Sequence, residues 1–309
     1  MICAAIDIGT VTCRLFIAEV DKGIERELVR ECRITNLGIG VSHTKMLADD
    51  AIERVVECVR DYRRICDEVA CAHDLDRISI SAVATSAARD AKNSDALVDE
   101  LAQLGINLAI IPGEREAYLS FRGASSEFPG EKLVVIDVGG GSTEVIFGSS
   151  STGVEFAHSF DIGCRRITEV FIHSDPPASD ELAAAKAYLH KSFSALLARP
   201  LEEHPAQRAV ALAGTATSVV SVDQAMEVYD SSCVHKTLVE DRTLDAVLKR
   251  LAGLTLEQRK LVVGLEPKRA SVIVAGMLIL QSVLTVLGQS SFTVSESDIL
   301  QGIVMAQQD

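Results

Sequence analysis

The sequence predicts an α/β protein with mixed sheets, built from two similar halves. Residues 133–147, LVVIDVGGGSTEVIF, read as strand, glycine-rich turn, strand. A β-branched apolar run ends in Asp137, three glycines follow, and a second apolar run begins after Ser142, Thr143 and Glu144. The chain opens on a weaker version of the same pattern, ICAAIDIGTVTCRLFIAEV, with Asp7, Gly9, Thr10 and Thr12 at the turn. Each copy is followed by alternating helical and strand patterns, the signature of strand-rich hairpins with helices in duplicate.

Taken in order, residues 24–36 complete a three-stranded meander, and Thr35-Asn36-Leu37-Gly38-Ile39-Gly40 is a loop. Residues 51–69 repeat apolar side chains at helical spacing, from Ile52 through Val55, Val59 and Tyr62 to Val69. A strand over 77–83 runs into ATSAARDAKNS, a small polar loop holding Arg89. Helix 95–104 stops at Gly105, and 107–111 is a strand. Pro112 and Gly113 end that strand, and a helix opens with Glu114 and Glu116 in its first turn, where acids suit the helix dipole. The stretch 125–130 reads as a linker. After the central hairpin come strands to about 160, a helix over 163–171 with Arg165 and Arg166 near its start, and a long helix over 179–197. Strand 208–213 runs into Gly214-Thr215-Ala216-Thr217-Ser218, a glycine–hydroxyl turn opening a helix and a third place suited to an anion or nucleotide. The remainder is helical apart from a short strand near 292–294. Within it, 271–295 carries no charge, but Gly276, Gln281, Ser282 and Thr285 dilute it, so it predicts a fully buried helix rather than a membrane span.

Composition narrows the function. With 309 residues, 48% of them hydrophobic, two domains are expected. A net charge of −14 argues against nucleic acid as a general partner. The eight cysteines are scattered without C-x-x-C or Cys/His clusters, which argues against a zinc site, and several lie within apolar patterns that predict buried free thiols in a reducing compartment. No secretory leader is expected from the first residues.

The chemistry concentrates on the turns. Glycines let backbone N–H groups approach a phosphate, and Asp137 and Glu144 flank the second turn with the hard oxygen ligands that Mg²⁺ takes. Arg14, Arg89, Arg166, Lys268 and Arg269 are the candidates for holding a longer polyanion.

The motifs DIGTVTCRLFIA, ATSAARDA, IPGEREA, VIDVGGGSTEVIFG, SFDIGCRRITEVF, AGTATS and EPKRASVIVAGMLIL, in that order, resemble the exopolyphosphatase/guanosine-pentaphosphate phosphatase family in its short, two-domain form. The resemblance implies two actin-like (ribonuclease H-like) domains of the acetate-and-sugar-kinase/Hsp70/actin superfamily. Domain I would be 1–125, domain II 126–296, and the helix over 297–309 would return to the first, with the site between the two. It implies Mg²⁺-dependent hydrolysis of the terminal phosphoanhydride of inorganic polyphosphate, or of guanosine pentaphosphate, in the cytoplasm by a homodimer, with Mn²⁺ as the alternative metal. Carried onto this chain, the catalytic residue is Glu116 in GEREA and the metal-associated acids are Asp137, Glu144 and Asp7. Phosphate contacts fall on Gly9, Thr10, Thr12, Arg14, Arg89, Gly139, Gly140, Gly141, Ser142, Thr143 and Arg166. More distant contacts fall on Gly214, Thr215, His235, Lys268 and Arg269. The chain departs from the family pattern where Val11 and Thr12 replace the usual Asn and Ser, where Lys236 follows His235, and where Ser271 stands for an aspartate. These changes bear on substrate preference more than on activity. Two rivals remain, a kinase of the same fold and a polyphosphate or (p)ppGpp sensor with little turnover.

Overall fold

A computed structural model describes residues 1–21 and 23–308. The chain divides into two compact units: 1–123 joined by the C-terminal segment from Ile299, and 124–298. The first contains β1 (Ile2–Ile8), β2 (Thr12–Val20), β3 (Ile24–Ile34), α1 (Val41–Thr44), α2 (Asp49–Ala72), β4 (Ser79–Ala84), α3 (Ser86–Asp90), α4 (Ser94–Gln103), β5 (Leu108–Ile110) and most of α5 (Gly113–Ser125). The second contains β6 (Lys132–Val138), β7 (Thr143–Ser149), β8 (Gly153–Phe160), α6 (Cys164–Phe171), α7 (Ser179–Glu203), β9 (Arg208–Leu212), α8 (Ala213–Asp223), α9 (Ser231–Val234), β10 (Leu238–Glu240), α10 (Asp241–Ala252), α11 (Leu256–Arg259), α12 (Ile273–Val286) and β11 (Ser291–Val294). The last helix, α13 (Ile299–Ala306), belongs to the first unit, and Asp309 lies outside the described residues.

The two sheets share one plan. In the first, ordered β3-β2-β1-β4-β5, β1 to β3 form an antiparallel meander and β4 and β5 run parallel to β1. In the second, ordered β10-β11-β9-β6-β7-β8, β6 to β8 form the meander, β9 and β11 continue parallel to β6, and β10 is added antiparallel at the edge. Each unit is therefore an α/β domain of the ribonuclease H-like, actin type. The sequence expectation of a fold in duplicate holds at the level of strand order.

Strand periodicity decides which helices cover the first sheet. Ala4, Ile6 and Ile8 join one core with Val55, Val59 and Tyr62 of α2, while Cys3 and Ala5 join a second with Phe16 and with Leu300, Ile303 and Val304 of α13. The fully buried Tyr62 hydroxyl donates to the Cys13 carbonyl at 2.8 Å. Gly302 lets α13 lie against α5, since a Cβ there would stand 2.0 Å from the Leu119 carbonyl oxygen. In the second unit α12 is the central helix, with all of its residues buried except Gln281, Thr285 and Val286. At ~1.5 Å per residue it is about 21 Å long, short of the ~30 Å hydrocarbon thickness. Among the described residues no helix is long and apolar enough to cross a membrane.

Four local expectations change. The ATSAARDA loop contains α3, the 179–197 helix continues through Pro200 to Glu203, and β10 is an additional strand. The segment after β9 is not a separate turn. The chain reverses at Ala213, φ 61°, and α8 begins there. Cys3, Cys13, Cys58, Cys66 and Cys164 are buried free thiols, as their apolar settings predict.

Candidate active site

The two glycine turns close in the same way. Gly9 N–H donates to the Thr12 carbonyl at 2.8 Å, and Gly139 N–H donates to the Ser142 carbonyl at 3.0 Å. Register then places equivalent residues opposite each other, Asp7 facing Arg14 in the first hairpin and Asp137 facing Glu144 in the second. The copies thus diverge at one position, a cation in one and a second anion in the other. Arg14 donates through Nε (3.0 Å) and Nη2 (2.7 Å) to Asp7 Oδ2. The expectation groups Asp7 with the metal acids. In the structure one oxygen of that carboxylate is held by two nitrogens of the Arg14 guanidinium, so Asp7 and Arg14 form a pair at the first turn.

The first turn is supported by the loop after β3. Thr35 and Asn36 N–H groups donate to the Val11 carbonyl at 3.1 and 2.9 Å, and Gly38 N–H donates to the Thr10 carbonyl at 2.9 Å. Gly38 has to be small, as its Cβ would meet Thr10 Cγ2 at 2.3 Å. Thr10 Oγ1 is buried with no hydrogen-bond partner among the described residues, the kind of donor a phosphate oxygen satisfies. The supporting loop is legible in sequence as a glycine cluster after a strand, but its service to residues 10 and 11 is not.

Glu116 lies in the first turn of α5 and is 9% exposed. Its Oε2 accepts from Arg89 Nη1 at 3.1 Å, and the same nitrogen donates to the Ile111 carbonyl at 2.9 Å. Arg89, expected as a substrate contact, is bonded to the catalytic candidate. The pairing joins the ATSAARDA and GEREA motifs.

In the second unit the glycine loop rests on the start of α6. Cys164 N–H donates to the Gly139 carbonyl (2.9 Å), Arg165 N–H to that of Gly140 (2.8 Å), and Arg166 Nε to that of Gly141 (3.2 Å). Gly163 makes this approach possible, since its Cβ would lie 2.4 Å from the Gly140 carbonyl and from Gly141 N. Arg166 is thus a brace of the loop. Asp137 and Glu144 are buried at 8% and 1% exposure. Thr143, expected to bind phosphate, is fully buried and its hydroxyl donates to the Ile162 carbonyl at 2.5 Å. Ser142 is buried beside it.

The distant set separates. Arg269 lies over Gly214, so closely that a Cβ on Gly214 would stand 1.4 Å from Nη1. Thr215 is buried against Gly276. Lys268 is exposed. His235 is a bridge: Glu296 N–H donates to its Nδ1 at 3.1 Å, and its Nε2 faces Glu127 Oε2 at 3.4 Å. Lys236 Nζ lies 3.0 Å from the same oxygen. The His235 hydrogen bond, with Lys236 beside it, pulls the Glu127 carboxyl down from 4.5 to about 2 against the opposing effect of burial. A carboxyl lowered on folding stabilises the protein above its unfolded value and loses that contribution as pH falls through the folded one. Stability on the order of 1 kcal/mol is therefore expected to disappear between pH 4.5 and about 2. Urea denaturation across that range should show Glu127→Gln lacking this component, and identical pH slopes in the two proteins would contradict it.

A duplicated α/β domain, a paired glycine turn in each copy, facing carboxylates and a braced glutamate define a protein that handles phosphoryl groups. The chain belongs to the Ppx/GppA phosphatase family, whose model matches residues 16–308. It is 39% identical to Exopolyphosphatase 2 of Mycobacterium tuberculosis, over 98% of this chain and 97% of that one. It is 34% identical to the bifunctional 3-dehydroquinate synthase/phosphatase of Fusobacterium nucleatum, over 98% of this chain and 46% of that one. Among solved structures, an exopolyphosphatase-like protein superposes with a TM-score of 0.88 at 30% identity, covering 99% of this chain and 98% of that chain. The Aquifex aeolicus Ppx/GppA family member gives 0.82 at 28%, covering 100% and 97%.

Proposed function

We propose that this protein is an exopolyphosphatase that removes the terminal phosphate of inorganic polyphosphate with the help of a divalent cation, Mg²⁺ by preference and Mn²⁺ as a substitute. The observation that carries the chemistry is the divergence of the two hairpins, where the second sets Glu144 opposite Asp137. Two buried carboxylates side by side favour a hard cation. Among the described residues no three acidic, imidazole or thiol groups converge on one point. An ion held by Asp137 and Glu144 would keep water and substrate oxygens as its other ligands, which suits Mg²⁺. Such an ion offsets charge on the phosphate oxygens.

The chain's own residues do the rest. Backbone donors of the glycine turns, with the Thr10 hydroxyl, bind phosphate oxygens. Glu116 accepts the proton of a water that attacks phosphorus as the bond to the bridging oxygen breaks, leaving orthophosphate and a chain shorter by one phosphate. The likeness to Exopolyphosphatase 2 supports polyphosphate over guanosine pentaphosphate. The protein acts in the cytoplasm, a reading supported by its buried free thiols, and as a homodimer, which light scattering checks.

The test is phosphate release from short and long polyphosphate and from guanosine pentaphosphate. Release from polyphosphate that is stopped by EDTA and restored by Mg²⁺ is the expected result. If the folded protein binds polyphosphate and releases nothing, it is a sensor instead.

A further inference from the structure

We infer that Ser159 is a positioning residue, fixing the Glu144 carboxylate for the divalent cation that the proposed function places there. The inference rests on that reading for the presence of the cation and on the sheet for everything else.

Asp137, Glu144 and Ser159 are register partners on β6, β7 and β8 and so form one row across the meander. Residues directly opposite on neighbouring strands share a face, with Cβ atoms ~5 Å apart. Ser159 Oγ–H donates to Glu144 Oε1 at 2.7 Å. Glu144 is 1% exposed, so protein groups rather than water set the orientation of its carboxylate. Asp137 stands on its other side, and like charges opposite each other on a ladder repel. A hydroxyl drawing one Glu144 oxygen toward β8 opposes random swing of the side chain, and a donor to a carboxylate makes a short, strong bond.

The first unit supplies an internal comparison. The corresponding row there is Asp7, Arg14 and Cys32. Where the middle residue is a cation, the third position carries no hydroxyl. The meander therefore does not need a serine at that point to fold. The hydroxyl accompanies the carboxylate, as expected if its task is to orient an acid that meets a metal.

The experiment uses the full-length wild type, Ser159→Ala and Ser159→Thr, with two readouts. One is Mn²⁺ affinity, from the electron paramagnetic resonance signal of free Mn²⁺. The other is the Mg²⁺ concentration giving half-maximal phosphate release from polyphosphate. Groups that orient metal ligands typically change affinity by 10–100-fold, so Ser159→Ala should bind Mn²⁺ about 10-fold or more weakly. It should need correspondingly more Mg²⁺ while approaching the wild-type rate at saturation. Ser159→Thr, which keeps the hydroxyl, should stay within about threefold of wild type. Unchanged Mn²⁺ affinity in Ser159→Ala overturns the inference. So does a threonine variant as weak as the alanine one, because shape rather than the hydroxyl would then matter, and so does a wild type that binds no Mn²⁺. A wild type that binds Mn²⁺ in a Ser159-dependent way yet releases no phosphate sinks the substrate reading and leaves the positioning role standing.

Discussion

Glu116→Gln is expected to lower the maximal rate of phosphate release by about 10²–10⁴-fold, the usual worth of a positioned general base. The substitution is nearly isosteric and keeps an oxygen for the Arg89 bond, so the local geometry changes little. It removes the ability to take a proton from water. The substrate-binding groups are proposed on the turns rather than on α5, so KM should move by less than about threefold, the pattern of an interaction made chiefly in the transition state. Arg89 makes the test sharper. Its Nη1 is bonded to both Glu116 and the Ile111 carbonyl, so in Glu116→Gln it loses its ionic partner and keeps a neutral one. A modest loss of stability should accompany the loss of rate. Steady-state kinetics beside thermal unfolding separates the two, and a full rate in a folded Glu116→Gln protein would remove Glu116 from the reaction.

How far the site is legible in sequence depends on whether a residue's role is local. Both hairpins can be read directly, because β-branched runs and glycines are short-range signals. The acids at 137 and 144 are candidates from their own neighbourhood, whereas Glu116, locally only an acid suited to a helix start, is singled out by the resemblance of GEREA to the family motif. The central apolar helix is likewise evident from its lack of charge. What escapes is register and direction. Ser159 matters because β8 sets it opposite Glu144, a pairing across fifteen residues of sequence. The Arg89–Glu116 bond spans 27 residues. Nor does the sequence show that the Thr143 hydroxyl donates to the Ile162 carbonyl or that Thr215 lies against Gly276. Asp7 resembles Asp137 in its local motif and differs only in what stands across the ladder. The strand β10 is three residues long and exists through its pairing with β11, which no local propensity announces.

Gly163→Ala is expected to damage both stability and activity although the residue carries no side chain to lose. Its backbone, φ −137° and ψ 163°, suits alanine, so no conformational strain arises. The penalty is contact alone: the new methyl would lie 2.4 Å from the Gly140 carbonyl carbon and oxygen and from Gly141 N. All three are backbone atoms of the glycine loop and cannot rotate away as a side-chain tip can. Gly38, whose added methyl would meet Thr10 Cγ2, is the milder case because that group can turn. Relief at Gly163 requires α6 and the loop to separate by about 1 Å, stretching the Cys164 and Arg165 bonds to the carbonyls of Gly139 and Gly140. Overpacking of this kind costs about 1–3 kcal/mol. If the loop holds phosphate as proposed, a displacement of that size should lower kcat/KM by about 10²-fold. The rate should be measured well below the unfolding temperature of the variant, so that the two effects stay separate. A lowered Tm with unchanged kcat/KM would mean that the loop keeps its place while α6 yields, and the brace formed by Gly163, Cys164 and Arg165 would then serve the fold without serving the reaction.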